Sequence, residues 1–284
     1  MLYSYIHADC FDWMKNREAD SITAIVTDPP YGIKEYTEAE LIKRKTGKGG
    51  IWRVPPSFDG HKRMALPRFS VINDSPRERK NVYDFFFRWA ELAIKILVPG
   101  GHVFIASTPL LSDILSSAMR DAGFERRGEI IRLVSTMRGG DRPKGAEREF
   151  ADLSVMPRSM YEPWGLYRKP LSEKTVSANL RKWKAGALRR ENNDSPFMDL
   201  IKSERTPAVE RRIAPHPSLK PQRFLRKLVY AVLPLGEGVI LDTFAGSGST
   251  LAAAVHLGLQ SIGIEKDEQF FQMGIDTIDK LSII

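Results

Sequence analysis

A single cysteine, Cys10, stands in the 284 residues, so no internal disulfide can form, and such a chain suits the reducing cytoplasm. No stretch approaches the roughly 18 uninterrupted apolar residues that a membrane span requires. The opening residues, MLYSYIHADCFDWMKNREAD, have no basic start followed by an apolar core, so no secretory leader is expected in them. The five histidines (His7, His61, His102, His216 and His256) are scattered and have no ligand-like spacing, so no metal is expected. Sequence repeats are absent too, which excludes a solenoid.

What is present fits a globular protein with a polyanionic partner. Hydrophobic residues make up 42% and charged residues 27%, both ordinary for a folded domain. The net charge is +8, and its distribution is more telling than its sum. Residues 33–80 hold twelve Lys or Arg against six Asp or Glu, and residues 171–215 hold ten against six. The excess positive charge therefore lies in two segments.

Periodicity alternates between strand and helix. Leu2 to Ala8 alternates like a short strand, and Cys10 to Asn16 suits a short helix after Asp9. Ser21 to Thr27 is β-branched and apolar and stops at two prolines, as a buried parallel strand would. Residues 32–80 show no sustained period, which predicts a long functional loop. Helices are expected over Asn81–Leu97, Leu110–Ala122, Pro221–Val232, Thr250–Leu257 and Asp267–Leu281, with one more near Val176–Leu188. Strands are expected over His102–Ala106, Glu129–Val134, Met160–Tyr167, Gly238–Leu241 and Ser261–Ile264. This alternation predicts an α/β fold with a doubly wound, mostly parallel sheet. Ligands in such sheets bind at the carboxyl ends of the strands.

Two segments carry unusual residues at such strand ends. The first, Asp242-Thr243-Phe244-Ala245-Gly246-Ser247-Gly248-Ser249-Thr250, is a glycine turn between a strand and a helix. Glycines there let the backbone approach a ligand closely. Glu265, after the next strand, can accept from both ribose hydroxyls of a nucleoside. A tight turn that only packs helix on strand is the alternative. A phosphate-binding loop is excluded because Ser249 and not Lys follows Gly248. A dinucleotide motif is incomplete, with Leu251 at the third glycine position. A nucleoside without a pyrophosphate fits better, and S-adenosyl-L-methionine (SAM) is one.

The second segment is Asp28-Pro29-Pro30-Tyr31. Two prolines fix the backbone and leave bare carbonyl acceptors. A carboxylate beside such a carbonyl can accept both hydrogens of an amino group, and Tyr31 offers a ring on which a base can stack. A strand end with a packed aromatic would explain the prolines and Tyr31, but not Asp28 together with the glycine turn.

With Asp28 to Tyr31 early and Phe244 to Gly248 late, the chain resembles the amino-group DNA methyltransferases, in the order called the β group. That family places Asp/Asn/Ser-Pro-Pro-Tyr ahead of Phe-x-Gly-x-Gly. His7-Ala8-Asp9-Cys10 resembles the family segment whose Asp meets the SAM adenine. His216-Pro217-Ser218-Leu219-Lys220-Pro221 resembles the stretch that lines the methionine end, although Ser218 and Leu219 stand where Thr and Gln are frequent. Leu97-Val98-Pro99-Gly100-Gly101 matches as well. The resemblance is weakest over 33–80 and 171–215, where such enzymes vary with their target.

The resemblance implies one catalytic domain over 1–284, on a seven-stranded sheet with one antiparallel strand. It implies a basic loop region at 33–80 and a target-recognition insertion at 171–215. Asp28, Pro29, Pro30 and Tyr31 would be catalytic. Asp9, Cys10, Asp28, His216, Ser218, Lys220, the turn from Asp242 and Phe244 through Thr250, Glu265 and Lys266 would bind SAM. Arg138, Arg142, Arg181, Lys182 and Lys184 would meet DNA. The implied reaction is site-specific methylation of adenine N6 in duplex DNA after the base is flipped out. Adenine is favoured because cytosine enzymes more often carry Ser where Asp28 stands. The other readings are N4-cytosine methylation, an RNA base methyltransferase, a protein-glutamine enzyme (which typically has Asn at this position) and a DNA-binding module that has kept only the fold. A homodimer and a cognate restriction enzyme encoded elsewhere are compatible partners, and no nuclease motif stands in the chain.

Overall fold

Six consecutive buried residues form strand β2 (Ile22–Thr27), as expected for a β-branched run covered on both faces. A computed structural model describes residues 2–30, 76–134, 140, 142–143, 145–216 and 218–284. Successive β2 side chains enter different cores. Ile25 packs with Trp89, Phe86, Val103, Met119 and Leu241 on one face. Ala24 and Val26 pack with Phe104, Trp164, Leu225, Leu228 and Ile240 on the other. A sheet with two such faces needs helices on both sides.

The remaining strands are β1 (Tyr3–His7), β3 (Leu97–Ala106), β4 (Glu125–Leu133), β5 (Tyr161–Arg168), β6 (Leu200–Lys202), β7 (Val239–Asp242) and β8 (Gln260–Glu265). They lie in the order β1-β8-β7-β2-β3-β5-β4-β6. β5 runs antiparallel to β3 and β4, and every other pairing is parallel. The expected α/β sheet with one antiparallel strand is present, with eight strands in place of seven. The eighth, β6, lies in the 171–215 segment and pairs with the end of β4. Its three residues bury only Ile201, too little for periodicity to reveal.

Helices α1 (Cys10–Lys15), α2 (Pro76–Ile96) and α3 (Ser112–Asp121) cover the first face. α2 buries Val82, Phe86, Trp89, Ala90, Ala93 and Ile96, the stripe of an amphipathic helix. It starts at Pro76, ahead of the expected Asn81, because proline is favoured in a first helical turn. The chain then passes from Ile96 directly into β3, so Pro99-Gly100-Gly101 lies in the strand and does not terminate the helix. A Cβ on Gly101 would meet the Thr23 carbonyl oxygen at 2.8 Å, which explains the glycine.

The other helices are α4 (Val176–Trp183), α5 (Ala208–Ile213), α6 (Gln222–Val232), α7 (Ser249–His256) and α8 (Glu268–Ser282). α6 and α7 cover the second face. Ile278 and Leu281 of α8 pack on Leu251 and Ala252 of α7. Asp9 caps α1 and Asp267 caps α8, each accepting from a first-turn backbone N–H. Among the described residues no helix is long and apolar enough to cross a membrane.

α4 is tied to the amino end of β3. The fully buried Asn179 donates to the carbonyl oxygens of Pro99 (2.9 Å) and Ala185 (2.8 Å). Asn179→Ala would leave both carbonyls without this donor, a loss of roughly 1–3 kcal/mol. The expected outcome in a thermal melt is a fall of roughly 2–10 °C in Tm, with cofactor affinity unchanged because Asn179 lies at the edge opposite the glycine turn.

Candidate active site at the carboxyl edge of the sheet

Four adjacent parallel strands, β1, β8, β7 and β2, end at one edge of the sheet. Their registers place His7 beside Glu265, Asp242 beside Gly263, and Ile25 beside Leu241. The residues that follow them therefore stand in a row: Asp9, Glu265, the glycine turn and Asp28. β5 runs the other way, so its first residues reach this edge, and Glu162 comes with them.

The glycine turn is built on Asp242. Its Oδ1 accepts from the Thr27 hydroxyl (2.7 Å) and the Phe244 N–H (3.1 Å), and Thr250 also bonds its carboxylate. Burial pushes Asp242 up to about 6 in spite of these donors. Thr243 accepts from the Trp89 indole at 3.2 Å. Gly246 (φ +53) and Gly248 (φ +78) adopt the left-handed conformation. A Cβ on Gly246 would stand 3.2 Å from the His216 ring, and one on Gly248 would meet Ile278 Cγ1 at 2.3 Å. α7 then opens at Ser249.

Glu265 accepts from Gly246 N–H through Oε2 and from Asp267 N–H through Oε1, both at 2.7 Å. Burial pushes its carboxyl upward against those bonds. Each carboxylate oxygen has a second acceptor direction for a ribose hydroxyl. Asp9 accepts from Phe11 N–H (2.9 Å) and faces the Lys266 ammonium at 3.1 Å. Burial opposes ionisation of Asp9, but Lys266 and the backbone donors outweigh it and hold the group below the usual carboxylate range. Burial raises the Cys10 thiol to about 12, so it presents no thiolate near neutral pH. His216 packs edge-on against Phe270 and accepts from Ser218 N–H through Nδ1. Burial, then the charge of Lys220, lower it to about 4, which leaves the ring neutral at pH 7. Thr277 donates to the Ser247 carbonyl, and Gln222 donates to that of Ser249.

Lys220 stands between two carboxylates. Its Nζ lies 2.5 Å from Asp28 Oδ2 and 3.1 Å from Glu162 Oε1. It touches the candidate catalytic carboxylate and is not confined to the cofactor side. Glu162 Oε2 in turn accepts from Arg132 Nη1 (2.9 Å) and from the Trp164 indole (3.3 Å). Burial alone would depress Lys220, but Asp28 and Glu162 outweigh it and hold the ammonium above the ordinary lysine value. Glu162 and Arg132 carry no motif, so nothing in the sequence marks them. Tyr5 lacks a sequence signal for the same reason: its hydroxyl donates to the Gly246 carbonyl (2.5 Å) and ties the turn to β1.

Tyr31 and Arg138 lie outside the described residues, as does most of 33–80. Arg142 is exposed, and its Nε donates to the Ala151 carbonyl. Arg181, Lys182 and Lys184 are not brought to the site. α4 sits at the start of β3, Lys182 pairs with Glu173, and Lys184 stands 4.0 Å from Glu237, ahead of β7. These three cations lie at the amino edge. Lys202, also exposed, stands at the carboxyl edge beside the end of β4, and the exposed Arg205, Arg211 and Arg212 follow it in the chain before His216.

The set of carboxylate acceptors suits a cationic nucleoside. Asp9, Asp242 and Glu265 gather at one edge, and glycines keep the space between Gly246 and His216 narrow. A family model described as DNA methylase matches residues 22–276. The type II methyltransferase M2.DpnII of Streptococcus pneumoniae is 26% identical over 270 residues, covering 94% of this chain and 86% of its own. Two solved structures share the fold. One, from Thermus thermophilus and assigned as a DNA modification methylase, is complexed with S-adenosyl-L-methionine. It superposes with a TM-score of 0.60 at 18% identity, over 99% of this chain and 94% of that one. The other is the PvuII cytosine-N4-specific DNA methyltransferase, with a TM-score of 0.61 at 12% identity, over 100% and 91% of the two chains.

Two substitutions test the cofactor edge by calorimetric titration with SAM. Gly246→Asp would place a side chain against His216 on a left-handed backbone, and measurable binding should disappear. Glu265→Ala removes a charged acceptor, a loss of roughly 1.5–3 kcal/mol, or about a 10- to 150-fold higher Kd. Affinities close to wild type in both would move the cofactor elsewhere.

Proposed function

The chain belongs to the DNA methylase family, and within it we propose that this member transfers a methyl group from SAM to the N6 amino group of adenine in duplex DNA. The observation that carries this reading is the placement of Asp28. It leaves β2 one strand away from the glycine turn, and the Thr27–Asp242 hydrogen bond joins the two strand ends. An acceptor for an amino group thus stands beside a nucleoside site.

An exocyclic amine is a poor nucleophile because its lone pair is delocalised into the ring. Asp28 and the Pro29 carbonyl would accept its two hydrogens and draw the nitrogen toward tetrahedral geometry. When bound, SAM would supply an electrophilic methyl carbon on a sulfonium sulfur, which would keep the electron pair of the C–S bond given up for the new N–C bond, and the surplus proton of the amine would leave for water. Asp9, Glu265 and the turn would hold the nucleoside end. Orientation and fixed charge account for the rate, with no covalent enzyme intermediate. The target base must leave the stack to reach this edge. The carboxylate at position 28 supports adenine, and the PvuII likeness, at its low identity, bears on the fold alone.

Target recognition is assigned to the 171–215 insertion, acting through its second half. Lys202 reaches the reaction edge and the exposed Arg205, Arg211 and Arg212 follow it in the chain toward His216, whereas Arg181, Lys182 and Lys184 lie in or beside α4 at the opposite edge. Arg211→Glu with Arg212→Glu should weaken duplex binding and flatten its salt dependence, by about 0.9 in the log–log slope for each phosphate that is no longer neutralised. The same reversal at Arg181, Lys182 and Lys184 should change little. The opposite pattern would return recognition to α4.

The reaction is tested by incubating the protein with SAM and unmethylated genomic DNA, digesting to nucleosides and identifying the product by mass. N6-methyladenine is expected. N4-methylcytosine alone would overturn the base, and methylation at a ring carbon would overturn the mechanism as well. Asp28→Ala should abolish transfer yet keep SAM affinity within a few-fold, since its acceptor acts on the target amine.

A further inference from the structure

Four charged side chains from four separate elements alternate in sign across the reaction edge. Asp28 follows β2, Lys220 precedes α6, Glu162 opens β5 and Arg132 closes β4. Their side chains are 18%, 10%, 12% and 8% exposed. The far end of the chain is anchored: Arg132 donates to Ser203 Oγ (3.0 Å) and to the Glu204 carbonyl (3.3 Å), and its guanidinium lies 5.1 Å from the Phe224 ring centroid. The near end is the carboxylate that meets the target amine.

We propose that Glu162 and Lys220 are positioning residues for Asp28: Lys220 fixes the direction of the Asp28 carboxylate and keeps it ionised, and Glu162 holds Lys220 in that place. The inference rests on the amine-methylation reading and adds two residues to it. Attack on the methyl group builds positive charge on the amine nitrogen. An adjacent carboxylate stabilises that charge only while it is ionised and correctly turned. Asp28 sits close enough to Asp242 for their charges to repel, and two neighbouring, partly buried carboxylates favour protonation of one of them. The Lys220 ammonium, 2.5 Å from Asp28 Oδ2, offsets that tendency and engages one of the two oxygens. A flexible lysine facing one carboxylate could rotate away. Glu162, pinned by Arg132 and Trp164, supplies a second anchor on the side away from Asp28. A pairing needed only for stability is a poor explanation, because a buried ion pair returns little net stability compared with apolar packing of the same volume.

Among the described residues, the charges facing Asp28 are Lys220 ahead of α6, Glu162 from β5 and Asp242 from β7, with Arg132 of β4 and His216 behind them. Wild type and variants share Asp242, Arg132 and His216, so a difference between their rate profiles reports on the pair.

The test uses the whole protein, tritiated SAM and unmethylated genomic DNA, with kcat and KM followed from pH 5 to 9 and SAM affinity measured by calorimetry. Lys220→Met should bind SAM no more weakly than wild type. Its acidic limb should move up by about one pH unit or more, and kcat on the plateau above that limb should fall too, because the Asp28 carboxylate is no longer held in one direction. Lys220→Arg, which keeps the charge, should bring the limb back toward the wild-type position. Glu162→Gln should lower kcat and leave KM for DNA and SAM affinity near wild type. Should either single variant fail to fold, the Glu162→Gln/Lys220→Met double variant removes one charge of each sign and carries the same comparison of acidic limbs. An unmoved limb in Lys220→Met or in the double variant overturns the proposal. Loss of SAM affinity without a shift in the limb also overturns it, and places Lys220 on the cofactor. Wild-type protein that binds SAM but labels no DNA would instead remove the methylation reading, and this inference would fall with it.

Discussion

The pairing of β2 with β7 is the constraint on which the rest of the site depends. Residues 215 positions apart, Thr27 and Asp242, share a hydrogen bond of 2.7 Å where the two strands end. Asp28, Pro29 and Pro30 follow the first strand, and the glycine turn follows the second. Trp89 reinforces the junction from α2 through Thr243. Because both strands are covered on both faces, neither can slip by one residue without turning its apolar side chains out of their cores. The spacing between the two reacting partners is therefore set by the packing of the whole sheet and not by a flexible loop.

Much of this is legible in the sequence because the informative residues are local. Asp28-Pro29-Pro30 and the 242–250 turn are contiguous, and each follows a strand whose pattern is plain. Glu265 is legible because the nucleoside reading predicts an acid after the next strand. Other features have no local signal. β6 is three residues long, and α5 covers only six. The chain of charges through Lys220, Glu162 and Arg132 exists only once four elements meet. The basic character of 171–215 is visible in the sequence, but its division between two edges of the sheet is not. Composition reports how many cations a segment holds, whereas the strand it docks against decides where they point.

The carboxyl edge is also divided by sign. Toward β1 and β8 the side chains are mostly acidic, with Asp9 and Glu265 fixed by backbone N–H groups. Toward β4 and β6 the edge carries the exposed Lys202 and the buried Arg132. Asp28 and Lys220 stand between these two ends. Burial of that pair keeps its charges strong, since water screens them little.

The adjacency of β1 and β8 has a consequence for how the protein is made. Tyr3 pairs with Ser261 and His7 with Glu265, so β1, at the edge of the sheet, takes its partner from the far end of the fold's strand sequence. On the ribosome β1 emerges long before β8 exists, and during that interval it has no place in the sheet. Non-local strand pairing of this kind is slow because the intervening chain must be closed into a loop first. The nucleoside site, which takes Asp9 from one end of this connection and Glu265 from the other, is then the last part of the protein to come into being.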